Sequence, residues 1–426
     1  MASTELPSTL NDSATPQPVP LWQNRDYLLL WSGQLVSELG STASRLAFPL
    51  LILFLTGSPV QAGLLGAANG LPYAFLCLPA GAYIDRWNRK RVMIVCDVVR
   101  ALALGSIPLA YALGALGLVQ LYVVAVVEGT LFTFFNLADT AALPQVVAKE
   151  QLPAATAQSQ ITYSLSDLLG PTLAGALYGV GRVLPFLVDA VSYVVSFISL
   201  FFIKTQFQEE RKETERRLWE EIKEGIVWLW RNPLIRFICF LTGALNLTNS
   251  GFTLLIILLA QRFQATSFEI GLILAAGGVG GLIGAFAAPP IRRRVSFGQM
   301  LTGVLWLFTL LWPLLALAPN LLLLGGAIFA LFVAIPAYDI TQFSYRIALI
   351  PDALQGRVNS VFRLVAVGAR PACLALTGAL LQWLGPVGTV WVLFIPQVVL
   401  SLAVMLNRHV QQAPPIEQAR QALAER

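Results

Sequence analysis

Stretches of about twenty apolar residues, long enough to cross a roughly 30 Å hydrocarbon layer, recur along nearly the whole chain. With glycine, proline and charge as punctuation they resolve into twelve candidate helices. Those of the first half fall near 28–55, 62–84, 92–113, 118–141, 154–180 and 185–203. Those of the second fall near 234–260, 268–288, 299–318, 321–347, 358–383 and 387–407. The runs are continuous rather than alternating, which excludes the strands of a membrane barrel. Only 12% of the 426 residues are charged, about half the usage of an ordinary soluble domain. The spans consume the length and leave no sizeable soluble domain, so the expected fold is an all-α integral membrane bundle.

Charge placement sets the expected orientation. The N-terminus, every second loop and the C-tail hold 22 Lys and Arg residues, among them Arg86, Arg89, Lys90, Arg91 and Arg292 to Arg294. The opposite loops hold only Arg182 and Arg262. Cations accumulate on the cytoplasmic side, so both termini are expected inside. Distribution over alternate loops, rather than one basic patch, argues against nucleic acid as the reason for the net charge of +5.

The expected organisation is a disordered cytoplasmic tail over 1–21, a six-helix half over 22–203, a cytoplasmic linker over 204–233, a second six-helix half over 234–408 and a tail over 409–426. The linker opens with mixed charges from Glu209 to Arg217. It then places Leu218, Ile222, Ile226 and Leu229 on one stripe beside Trp219, Trp228 and Trp230, the pattern of an amphipathic helix at the inner leaflet. The two halves echo each other: Leu143-Pro144 matches Ile350-Pro351, Gly170-Pro171 matches Arg370-Pro371, and the basic loop after span two has a weaker copy after span eight. The four cysteines lie in separate apolar spans and read as buried thiols.

Gly81, Asp85, Arg86, Arg89, Lys90 and Arg91, between spans two and three, match the signature of the major facilitator superfamily, with Asn88 where a glycine is usual. Over 22–408 the chain resembles that superfamily, and within it bacterial exporters of the macrolide-efflux and enterobactin-exporter type. Arg25-Asp26-Tyr27, Leu55-Thr56-Gly57-Ser58, Gly170-Pro171 with Gly175, and Pro351-Asp352 before Gly356-Arg357-Val358 carry the closer likeness. The resemblance implies two pseudo-symmetric six-helix halves around a midplane cavity in the bacterial inner membrane, and no cofactor. It also implies that Asp85 meets the start of span eleven, where Asp352 and Gln355 form a capping box. Proton-coupled drug exporters carry an arginine in span four where this chain has Glu128, so their relay is not transferable residue by residue.

Ionisable groups at membrane depth cost roughly 2.5–3.5 kcal/mol each. The first half places Glu38, Arg45, Asp97, Arg100, Glu128, Asp139, Asp167 and Asp189 within spans, and the second Asp339, Arg363 and Arg370. The surplus acids must line water, pair across the halves or hold protons. Glu38 is a proton or cation site, or a structural carboxylate bonded to a neighbouring helix. Glu128 binds a proton or a cationic substrate, or pairs with Arg45 or Arg370. Asp97 and Arg100, three apart, are expected to pair with each other.

Asp167 ahead of Gly170 and Pro171 marks either a gating bend or close packing. Arg363 and Arg370 share a face suited to an interface between halves, and Asp139 and Asp339 end their helices as inner-gate residues. Asn246, Thr248 and Asn249 bring hydrogen-bonding groups to an apolar seventh helix, a lining suited to a large lipophilic substrate. The glycines of span eight serve helix packing. A nucleotide-binding glycine loop, a paired-histidine metal motif and a nucleophile elbow are all missing from the sequence. These features together predict a monomeric, non-enzymatic exporter of a small lipophilic molecule by proton antiport, with protons and membrane lipids as its other partners. A lipid or lysophospholipid flippase or uniporter, and a non-transporting scaffold, are the competing readings.

Overall fold

A computed structural model describes residues 20–207, 218–292, 294–351 and 354–414; the side chains at 78, 82, 85 and 218–222 lie outside that description. Among the described residues there is no strand. The first six long helices are α1 (Arg25–Thr56), α2 (Pro59–Arg86), α3 (Arg89–Ala112), α4 (Leu118–Val146), α5 (Leu152–Val180) and α6 (Leu184–Phe202). After α7 (Leu218–Arg231) come α8 (Pro233–Asn249), α9 (Phe252–Gln261), α10 (Ser267–Arg292), α11 (Phe297–Leu311) and α12 (Leu314–Leu317). The chain closes with α13 (Leu321–Leu349), α14 (Gln355–Gly368), α15 (Arg370–Leu406) and α16 (Arg408–Gln411). Nine helical segments among the described residues are long and apolar enough to cross a membrane. Their outer faces carry exposed large apolar side chains such as Leu322, Phe286 and Val119, which suits a lipid surround better than water.

Local chemistry sets the boundaries. The Asn24 side chain accepts from the Tyr27 N–H at 3.1 Å and caps α1. Asn88 and Asn320 do the same for α3 and α13, and Ser296 with Gln299 forms a capping box on α11. Gly57 ends α1 at φ 63°, a left-handed conformation that a side chain would strain. Ser58 and Pro59 then start α2 at once, since proline at the first helical position loses no hydrogen bond.

Three expected spans are interrupted. Span seven divides at Ser250 and Gly251, where a Cβ on Gly251 would sit 2.3 Å from Thr377 of α15. Span nine divides at Trp312-Pro313, and span eleven at Ala369 immediately before Arg370-Pro371. Spans eleven and twelve, by contrast, run with only a break at Gly385 (φ 68°) before Pro386. Hydropathy cannot register such breaks, because they cost polarity only in the backbone.

Packing differs between the two ends of the bundle. At the end of the loops at 57–58, 113–117, 181–183 and 262–266, one apolar cluster draws on both groups of helices. Leu51 and Ile52 of α1 and Leu121 of α4 belong to the same cluster as Ile256 of α9, Leu331 of α13 and Leu381 of α15. Glycines let backbones meet there: a Cβ on Gly271 of α10 would lie 2.3 Å from the Pro171 carbonyl oxygen of α5, and one on Gly63 of α2 would lie 2.5 Å from that of Leu374. At the opposite end each group has its own cluster. Tyr27, Met93, Phe135 and Phe207 form one, and Ile235, Phe297, Tyr345 and Val358 the other. The bundle is sealed at one end and cleft at the other.

The amphipathic segment forms α7 and packs on α14. Its Leu229 is buried in the second cluster while Ile226 and Trp230 face outward. Leu218, Trp219 and Ile222 belong to the side chains outside the description. In the glycine series of α10, Gly280 and Gly284 abut the α13 backbone and Gly277 its side chains, Gly278 meets Leu168, and Gly281 faces open space. Cys96, Cys239 and Cys373 are buried free thiols; Cys77, expected to be buried as well, is only half-buried.

Candidate functional site

The cleft reaches in from the split end between α1, α4 and α5 on one side and α8, α13, α14 and α15 on the other. Glu38 and Arg45 of α1 meet at 2.9 Å. Seven residues put their backbones about 10 Å apart along the axis, and the length of the arginine closes that gap. Arg45 also donates to Thr42 Oγ1 at 2.6 Å and remains half exposed. Asp167 of α5 and Arg370 of α15 both lie within electrostatic reach of Arg45. Asp139 of α4 shares a pocket with Gln34, Ser37, Glu38, Arg100 and Tyr163. The cleft thus holds an acid-rich wall on the first group of helices and Arg363 and Arg370, both exposed, on the second. Arg363 also sits over the Tyr73 ring of α2 at 5.2 Å, a cation–π contact that crosses the cleft.

The asparagines of α8 are more committed than their polarity suggests. Asn246 donates Nδ2 to the Ala366 carbonyl of α14 at 2.9 Å, and Asn249 donates to its own helix at Leu245. Thr248 is buried and accepts from Gln397 of α15 at 2.9 Å. Asp339 is exposed on α13. Gly170 and Pro171 form a junction of three helices. A Cβ on Gly170 would lie 2.3 Å from Thr42 Cγ2 of α1, and the Pro171 carbonyl faces Gly271 of α10.

In the basic loop, cations hold helix ends. Arg89, buried, donates to the carbonyls of Ala141 at 2.9 Å and Phe207 at 3.2 Å, and Lys90 donates to Ile203 beyond α6. These are the carbonyl-rich ends where a cation is favoured. Arg86 and Arg91 are exposed and Gly81 is half-buried with open space beside it. The Asp85 side chain and the Asp352 half of the expected capping box lie outside the described residues. At the start of α14, Arg357 pairs with Glu224 of α7.

Two expected pairings are corrected. Arg100 does not pair with Asp97. Its Nε donates to Glu128 Oε1 at 2.8 Å, with Nη2 on the same oxygen, and its guanidinium stacks 4.0 Å over the Tyr193 ring. Glu128 accordingly pairs with neither Arg45 nor Arg370. Asp97 points away, fully buried, with no hydrogen bond to either oxygen. The three-residue spacing allowed contact, but the aromatic shelf on α6 directs the guanidinium towards α4. Sequence reasoning gave no role to Asp189, Tyr193, Ser41 or Ser44. Beyond the bare presence of Asp189 within a span, their signal was the polar spacing Ser41 to Ser44 on α1 and Asp189, Ser192, Tyr193 and Ser196 on α6, which places each set on one helical face. Among the described residues, no group of His, Cys, Asp or Glu is arranged to hold a metal ion.

Comparison with known proteins gives this geometry a family. The model of the transmembrane secretion effectors, a branch of the major facilitator superfamily, matches residues 18–425. The chain belongs to that family. The multidrug efflux pump Tap of Mycolicibacterium fortuitum is 27% identical over 394 residues, which covers 89% of this chain and 95% of the pump. The enterobactin exporter EntS of Escherichia coli O9:H4 (strain HS) is 26% identical over 376 residues, 87% of this chain and 89% of the exporter. Among solved structures, an inward-facing bacterial homologue of the iron transporter ferroportin aligns with a TM-score of 0.72 at 19% identity, over 89% of this chain and 98% of that one. An outward-facing structure of the same description aligns at 0.60. The chain is therefore a multi-pass membrane protein of a transporter family, not an enzyme.

Proposed function

We propose that this family member is a secondary exporter of the bacterial inner membrane, working as a monomer by alternating access with proton antiport. Its twelve spans form two six-helix halves, 22–203 and 234–408, joined by the 204–233 linker, with both termini and both tails in the cytoplasm. The described conformation opens to the cytoplasm. One observation carries the reading: a single apolar cluster seals the halves together at one end, while separate clusters line a cleft at the other. That is one of the two states a rocking transporter must visit. The better fit to an inward-facing than to an outward-facing relative supports the same assignment. The likeness to a multidrug efflux pump favours a small, lipophilic molecule as the substrate. Asp139, Asp167 and Asp339, which make no ion pair among the described residues, supply acidity beside Arg363, Arg370 and the Glu38–Arg45 pair.

Inverted membrane vesicles test this directly. An imposed pH gradient, acid inside, is expected to drive uptake of ethidium or a macrolide, and Glu38→Gln is expected to weaken that uptake. Uptake that ignores the gradient would instead indicate a uniporter. Movement of labelled lysophospholipid, with no dye or macrolide uptake, would indicate a flippase.

A further inference from the structure

Away from the cleft, within α1, α3, α4 and α6, lies a buried polar chain that a substrate-binding surface does not explain. Asp189 of α6 is fully buried and accepts from Ser44 and from Ser192, at 3.2 Å for the latter. The Ser41 hydroxyl joins Asp189, at 3.5 Å, to the Tyr193 hydroxyl at 2.8 Å. Tyr193 donates to Glu128 Oε1 at 2.7 Å, and that oxygen also receives Arg100. Asp97 lies beside the chain with both oxygens unpartnered. Ser196 faces it without a hydrogen bond of good geometry. Glu128 Oε2 is likewise buried and unpartnered.

Three carboxyl groups thus share one guanidinium inside an apolar group of helices. An isolated carboxylate removed from water neutralises rather than remain ionised. Asp189 has hydroxyl donors on both oxygens; Asp97 has none. The charged and titratable groups facing Asp97 are Arg100, Glu128 and Asp139, with Cys96 adjacent. Those facing Asp189 are Glu128, Arg100 and Tyr193. Asp189 lies five residues from the sealed-end start of α6, and Asp97 eight from the split-end start of α3. By helical rise these depths are about 8 Å and about 12 Å. Ser41 and Arg100 line the same small pocket as Glu38 and Asp139, so the chain borders the acids of the cleft wall.

We propose that this chain is the proton site of the transporter: Asp189 takes up a proton when the sealed end opens, and Asp97 releases one to the cleft beside Asp139. The assignment rests on the antiport reading above and moves the coupling protons from Glu38 into the interior of the first half. The balance is one proton in and one out. Ser41 and Tyr193 each accept one proton and donate one, so the incoming charge reaches Glu128. Arg100, freed from the neutralised Glu128, turns one helical turn back to Asp97 as that carboxyl loses its proton. Glu128 then hands its own proton to Asp97, which it faces, and Arg100 returns to Glu128, so the starting state is restored.

Infrared spectra of the purified protein in nanodiscs, with carboxyl-13C aspartate, test the site without any substrate. A protonated-carboxyl band that shifts with the label is expected at neutral pH and is expected to be lost in Asp97→Asn. Absence of a labelled band in the wild type, or its persistence in Asp97→Asn, overturns the proposal. In inverted vesicles, Tyr193→Phe and Asp189→Asn are expected to lose gradient-driven ethidium uptake while keeping gradient-free ethidium exchange. A purely structural role would lower both together, and that result, or gradient-driven uptake at wild-type level, also overturns the proposal. Wild-type protein that moves no ethidium at all would refute the export reading; the infrared band still decides the site.

Discussion

The Arg100–Glu128 pair shows how burial changes the meaning of a charge. Both side chains are almost fully enclosed, so removing one leaves the other ionised in an apolar interior, at a cost of about 3–5 kcal/mol. Glu128→Gln is therefore expected to lower the thermal unfolding midpoint of the detergent-solubilised protein clearly. Arg100→Met combined with Glu128→Leu should cost less than the sum of the single changes. The Glu224–Arg357 pair offers the contrast. Both members are partly solvated, so its net worth is about 0–1 kcal/mol, and Glu224→Gln should leave the midpoint nearly unchanged. The sequence placed Asp97, Arg100 and Glu128 within spans but not their partners, and it counted Arg346, buried on α13, with the loop cations. Asp97 and Arg100 satisfied the helical spacing rule, yet the Tyr193 ring on a distant helix decided the pairing, and no local pattern encodes that contact.

At the scale of helices, much was legible because apolar length is a one-dimensional property. The outlines of α1 to α6, α10 and α13 follow from it within a few residues, and the glycines of α10 mostly pack as their spacing suggests. The interruption at Gly251 was not legible, since it lies where Thr377 of a distant helix approaches, whereas those at Pro313 and at Ala369 sit beside prolines that end a helix locally. Gly271 and Gly175 illustrate the constraint from the other side: a Cβ on either would lie 2.3 Å from a carbonyl oxygen across the α5–α10 contact. Gly271→Ala is expected to force those helices apart and bias the protein towards opening at the sealed end. A cysteine placed at Thr172 would then label faster with an impermeant maleimide added from that side. Labelling unchanged from the Gly271 parent would contradict the packing argument.

For the molecule as a whole, the shared apolar cluster must part and the cleft must close during transport. Spin labels at Trp87 and Ile291, near the split end, are expected to approach each other when the protein switches state. Labels at the exposed positions Val119 and Leu322 should separate at the same time. Pulsed electron resonance distances in nanodiscs, taken with and without a pH gradient-mimicking acid shift, check both movements; parallel changes at the two ends would rule out rocking.

The covalent joint between the two groups of helices, from Ile203 at the end of α6 to Leu218 at the start of α7, lies at the split end. Its fifteen residues from 203 to 217 reach at most about 50 Å when fully extended. The fulcrum is noncovalent: it is the glycine-lined contact at the sealed end. Nicking the peptide there, or expressing 1–212 and 213–426 as separate polypeptides, should yield two pieces that find each other in the bilayer through their glycine-lined contact alone.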